Sequence, residues 1–115
     1  LLLRRCVGEP FALLPEQSRF ELAVRFGPQF QDWLKKAGGF REYVITGCVT
    51  DICVLQFAST LQAYIHQHNL DSIVTVAANA VDTFDAPNHP KKEFHEFALT
   101  LMKQYGINVV EEYVC

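Results

Sequence analysis

Cys48 and Cys53 lie in the stretch Gly47-Cys48-Val49-Thr50-Asp51-Ile52-Cys53-Val54, directly after the apolar, β-type run that starts at Tyr43. The chemistry available to them is nucleophilic, because a thiolate attacks carbonyl carbon. Cys53 falls about one turn into a long amphipathic segment. That places it where free backbone N–H groups and the positive end of a helix dipole stabilise a thiolate. The competing reading of Cys53 is a buried core thiol. Thr50 or Asp51 can cap the helix that follows and fix the turn. Cys48 is expected to line the edge of the site, a disulfide with Cys53 being the alternative. The C-x4-C spacing is neither a redox C-x-x-C nor a zinc knuckle.

These residues need a strand before them and a helix behind them. Tyr43–Thr46 reads as a short buried strand. Residues 52–67 read as a helix whose apolar face carries Val54, Leu55, Ala58, Leu61, Tyr64 and Ile65. Ser72–Ala77 is a β-branched run, a second buried strand. Residues 79–85 read as a loop or short 3₁₀ segment. Asn88-His89-Pro90 opens a last helix, with Phe94, Phe97, Ala98, Leu101 and Met102 on one face, and Gly106 ends it. Residues 107–110 form a final strand. Upstream, Phe30, Trp33 and Leu34 have helical spacing over 28–37, and Gly38-Gly39 stops that helix. Strands alternating with helices predict βαβ units and a parallel sheet.

Composition narrows the function classes. A chain of 115 residues is one domain, with half its residues hydrophobic and a fifth charged. A net charge of −3 argues against nucleic acid as a partner. No apolar run approaches membrane-spanning length. Four cysteines without other marks of a secreted scaffold predict reduced thiols in a cytoplasm. No Gly-x-Gly-x-x-Gly loop supports a dinucleotide-binding module.

The stretch Gly47–Val54 resembles the signature of the isochorismatase-like cysteine hydrolases, which include nicotinamidases. The resemblance runs from about Phe26 to Val110. It implies a three-layer α/β/α Rossmann-like parallel sheet with Cys53 as the nucleophile and, in the amidases, a covalent thioester. It also implies a cis Cys48–Val49 peptide, which would set the Val49 N–H beside that of Cys53 as an oxyanion hole.

The chain departs from the family pattern in four places. The triad needs an Asp on an N-terminal strand, but the only Asp before the motif is Asp32, on a helix face. It needs a Lys ahead of a segment that Phe26-Gly27-Pro28-Gln29-Phe30 resembles, and ungapped counting puts Arg19 there. Arg19 could hold an anion but not exchange protons at ordinary pH. Phe57 stands where the family has Thr. The Asp-x-His…His segment through which nicotinamidases hold a metal is missing. The histidines read as helix-end or surface residues, with His89 as near the site as on the surface. No metal or cofactor is expected.

The expectation is therefore a single, N-terminally incomplete domain over 1–115 that lacks the first strand or strands. Its function would be hydrolysis of a small amide, nicotinamide-like, through Cys53. The alternatives are isochorismatase-type cleavage of a vinyl ether, and a truncated, inactive domain acting by self-association through an open sheet edge. The expected partners are a small-molecule substrate and further copies of the chain in a homo-oligomer, with no nucleic acid and no membrane.

Overall fold

A computed structural model describes residues 2–4, 12–13 and 40–114. The sheet has five strands: β1 (Leu2–Arg4), β2 (Ala12–Leu13), β3 (Glu42–Cys48), β4 (Ile73–Asp82) and β5 (Asn108–Val110). Their order is β2-β1-β3-β4-β5. Strands β3, β4 and β5 are mutually parallel, as the alternating pattern predicts, while β1 runs antiparallel to both β2 and β3. The outer edge of β3, expected to be open, is thus paired with Leu2–Arg4. The helix expected over 28–37 and its Gly38-Gly39 stop lie outside the described residues.

Helix α1 (Leu55–Gln67) links β3 to β4, and α2 (Lys91–Gln104) links β4 to β5. Both feed one core. Tyr43 and Ile45 of β3 and Val74 and Val76 of β4 meet Phe57, Ala58, Leu61 and Ile65 of α1 and Ala98 and Met102 of α2. The alternation along β3 sends Val44 to the opposite face, where it is also buried. That second face carries a polar network. Thr75 Oγ1 donates to Glu42 Oε2 at 2.8 Å, Tyr113 OH donates to Glu42 Oε1 at 2.6 Å, and Asn108 Nδ2 donates to Thr75 Oγ1 at 3.2 Å. Thr75 is fully buried, so its hydroxyl requires such an acceptor.

The two helices end alike. Leu70 N–H bonds Ile65 O and Asn69 N–H bonds His66 O; after α2, Ile107 N–H bonds Met102 O and Gly106 N–H bonds Lys103 O. Each is a Schellman motif, which needs a left-handed residue after the helix. Asn69 (φ 50°) and Gly106 (φ 89°) supply it.

Three expectations change. Residues 79–82 continue β4 where a loop was expected: past a register shift between Ile45 and Gly47, Gly47 pairs with Val81 and Cys48 with Asp82. Asn79 N–H also bonds Glu111 O at 3.1 Å, which holds the extension from the other side. Gly47 takes φ 123° at that irregularity, a conformation side chains disfavour. On α2, Phe94 and Phe97 do not join the core stripe; Ala98 and Met102 do, and Phe97 is 65% exposed. On α1, fully buried Phe57 and Gln62 complete the inner face. None of the helices among the described residues is long and apolar enough to cross a membrane.

Candidate active site

Parallel strands bring their carboxyl ends together, and in open α/β sheets ligands bind at that edge. Here β3 and β4 end side by side at Cys48 and Asp82. The chain leaves β3 through a cis Cys48–Val49 peptide and enters a π-helical turn, Thr50–Val54, that runs directly into α1. The Val49 carbonyl accepts from Ile52 N–H at 3.2 Å and from Val54 N–H at 3.1 Å, the second closing the wide π-type loop. Such turns recur at functional sites because they re-aim side chains at a helix start. Cys53 sits on this turn, half-buried and packed against the core, and Cys48 is exposed; both are free thiols.

Thr50 and Asp51 were expected to cap the helix. Neither does: Val49 holds the N-cap position without a side-chain cap bond. Both side chains instead reach across to the segment after β4. Thr50 is fully buried, and its Oγ1 lies 2.9 Å from His95 Nδ1 of α2. Asp51 Oδ1 accepts from Thr83 Oγ1 at 2.5 Å, and Asp51 Oδ2 meets His89 Nε2 at 2.6 Å. His89 Nδ1 lies 2.9 Å from the Phe84 carbonyl oxygen. The imidazole is stacked between Phe84, with centroids 4.0 Å apart and planes 12° apart, and Phe94, at 4.1 Å and 34°. The physical reason for the correction is reach. A carboxylate on the turn finds stronger partners in a hydroxyl and an imidazole of the loop than in its own helix start.

The electrostatics follow from these partners. Burial pushes the Asp51 carboxyl up, but the hydrogen bonds from Thr83 and His89 outweigh it and hold the group below its ordinary value. The bond to Asp51 raises His89 above its ordinary 6.5, against partial desolvation. Asp82 is lowered by the hydrogen bond from Lys91 Nζ, 2.9 Å away, and by the Thr83 N–H. Lys91 N–H in turn donates to Asp85 Oδ1 at 3.0 Å.

The sequence placed the turn that carries Cys53, and the cis Cys48–Val49 peptide is the one the family resemblance implied. Sequence reasoning missed Thr83, Phe84 and His95 as partners, and left His89 undecided. No local signal marks Thr83, His89 and His95, because they lie 32 to 45 residues from the turn side chains they hold, and Phe84 acts only through His89. Arg19 and Asp32 lie outside the described residues. His66 and His68 are exposed at the end of α1 as expected; His66 Nε2 is 2.8 Å from Gln62 Nε2, and His68 packs on Tyr64. Among the described residues no group of three or more His, Cys, Asp or Glu is arranged to hold a metal ion. One cleft of about 480 Å³ at this edge is lined by Asp82, Asp85, Lys91, His95 and Glu96. A larger one, about 660 Å³, lies on the outer side of α1 around Gln62, His66 and Tyr105. The first borders the carboxyl ends of the strands, and Cys53 lines neither.

A parallel α/β domain with a cysteine on the turn between a strand end and a helix start is the class that fold and site define. Residues 16–112 match the family model described as the isochorismatase domain, and the chain belongs to that family. No curated protein matches the chain. Among solved structures, it is similar in fold to the nicotinamidase SaPncA from Staphylococcus aureus, with 24% identity and a TM-score of 0.50. The match covers 89% of this chain and 65% of that one.

Proposed function

We propose that this chain is the Cys53-bearing part of a cysteine hydrolase that acts on a small amide. The observation that carries the reading is the position of Cys53: half-buried, on a turn that opens a helix, at the carboxyl ends of parallel strands. In the reaction the sulfur attacks the amide carbon, and the carbonyl oxygen takes the negative charge. The N–H groups of Val49 and Cys53 are the proposed donors to that oxygen, with Cys48, Thr50 and Asp51 supporting the turn. Collapse of the intermediate breaks the C–N bond, and the leaving nitrogen departs as ammonia or an amine after taking a proton. The thioester that remains is hydrolysed by water, which frees the thiol and releases the acid.

Among the described acids at this edge, Asp51 is engaged by Thr83 and His89, and Asp82 by Lys91. His89 has both ring nitrogens occupied, so it does not serve as the base for Cys53. Arg19 is the proposed occupant of the family's lysine position. General acid–base help is worth about 10²–10⁴ in rate, so we expect slow turnover by this chain alone. The similarity of fold to a nicotinamidase supports a nicotinamide-like amide as first substrate. The isochorismatase description of the family supports a vinyl ether as the second. A cytoplasmic, homo-oligomeric protein without nucleic-acid or membrane partners completes the reading.

The test combines ammonia release from nicotinamide and small amides with mass spectrometry of the quenched reaction. Ammonia release together with an acyl adduct on Cys53, both absent in Cys53→Ala, is the expected result. Turnover that survives in Cys53→Ala, or neither ammonia nor adduct from any amide, would overturn it.

A further inference from the structure

We propose that Asp51 and His89 form a protonation-dependent latch that positions the turn carrying Cys53, closed while the imidazole is charged and released when it loses a proton. The inference rests on the reading of Cys53 as nucleophile and adds a regulatory device to that site.

The geometry requires a charged ring. His89 Nδ1 faces the Phe84 carbonyl oxygen at 2.9 Å, and Nε2 faces the Asp51 carboxylate at 2.6 Å. Both partners are acceptors. A neutral imidazole has one N–H and satisfies one of them; only the imidazolium donates to both. The stacked phenyl rings of Phe84 and Phe94 present their negative faces to that cation. The site is sheltered, with the side chains of His89 and Asp51 only 13% and 10% exposed.

The pair also joins two separate pieces of chain. Asp51 lies two residues before Cys53 on the π-helical turn, and His89 lies in the loop between β4 and α2. When the ring is neutral, either the Phe84 carbonyl or the Asp51 carboxylate faces a nitrogen lone pair. In the tautomer whose Nε2 lacks the proton, the Thr83 hydroxyl remains as the link between Asp51 and the loop, and in either tautomer the loop and turn are held by one bond fewer and without the ion pair. The titratable and charged groups around the ring are accounted for. The turn contributes Asp51 and Cys53, with Cys48 just before it. Asp82 at the end of β4 is paired with Lys91, and Asp85 accepts from the Lys91 N–H. From α2 come Lys91, Lys92, Glu93, His95, whose Nδ1 meets Thr50, and Glu96. Among the described residues the ion pair to the ring is that of Asp51.

The direction is fixed by the chemistry. Thiolate content rises with pH, while the latch opens with pH. Cys53 reactivity should therefore carry an inflection at the pH where His89 titrates, superimposed on thiol ionisation.

The experiment uses the full chain and two readouts. Histidine ring resonances followed by NMR give the midpoint of His89. It should lie above 6.5 and fall in Asp51→Asn, which removes the carboxylate that favours the charged ring. Iodoacetamide alkylation of Cys53, mapped by mass spectrometry against pH, should show an inflection at the same midpoint. That inflection should vanish in His89→Gln, whose amide still donates to Asp51 but does not titrate. A His89 midpoint at or below 6.5, no inflection at that midpoint, or one that persists in His89→Gln would overturn the latch. If a variant does not fold, the wild-type coincidence of the two midpoints decides alone. Neither readout requires turnover. An intact inflection without amide hydrolysis overturns only the proposed reaction, and hydrolysis without the inflection overturns only the latch.

Discussion

Helices α1 and α2 have nearly the same length and sit in the same core, yet they are used differently. α1 buries Phe57, Ala58, Leu61, Gln62 and Ile65 along its inner face. α2 buries only Ala98 and Met102. Its large apolar side chains go elsewhere: Phe94 stacks on His89, and Phe97 is 65% exposed. One helix is thus a core element that continues from the π-helical turn holding Cys53. The other lends its first turns to bracing the turn that carries Cys53, through His95 on Thr50 and Phe94 on His89, and leaves Phe97 uncovered. Burial alone does not mark a helix as important to the site.

The comparison is broken most directly in the core. Phe57→Ala should cost about 3–5 kcal/mol, and Met102→Ala about 2–5 kcal/mol, because each side chain is fully buried. Chemical denaturation measures both. A cost below about 1 kcal/mol for Met102→Ala would mean that α2 is not docked on the shared core.

Next in size is the polar network on the opposite sheet face. Glu42→Ala removes the acceptor of the buried Thr75 hydroxyl and should cost about 1–3 kcal/mol in the same measurement. An unchanged midpoint would show that Thr75 satisfies itself another way.

A pH series sharpens the bracing role of the loop. His89 is raised above 6.5 in the folded chain, so its contribution is fully present below about 6.5 and is lost as pH rises through the raised value. Asp51 is lowered, so its contribution is present above 3.8 and is lost as pH falls through the lowered value. The wild type should therefore lose melting temperature relative to His89→Gln as pH climbs above 6.5. Parallel curves across pH 6 to 9 would remove His89 from the account of stability.

The smallest expected change is at the surface. Phe97→Ser should alter folding stability by no more than about 0.5 kcal/mol. If α2 packs against another copy, the same substitution should lower the average mass seen by light scattering. A monodisperse monomer for the unsubstituted chain would contradict the proposed self-association.

The sequence alone determined the parts that depend on near neighbours. The β-branched run before Ala77, the 3.6-residue spacing of α1 and the stop at Gly106 each declare an element within a few residues. The Gly47–Val54 motif declares its turn, and the cis peptide in it is what the family resemblance implied. Other features depend on distant pairing. Ala77-Ala78-Asn79-Ala80 has poor strand propensity, yet β4 runs through it because Ala77 pairs with Val110 and Asn79 N–H bonds Glu111 O on one side, and just beyond it Val81 and Asp82 pair with Gly47 and Cys48 on the other. Asp51 reads as a helix cap in sequence and becomes a bridge in space. The partners that decide this, Thr83 and His89, arrive only when the loop after β4 folds over the turn after β3. A carboxylate takes the strongest donors within reach, and tertiary structure alone sets which donors those are.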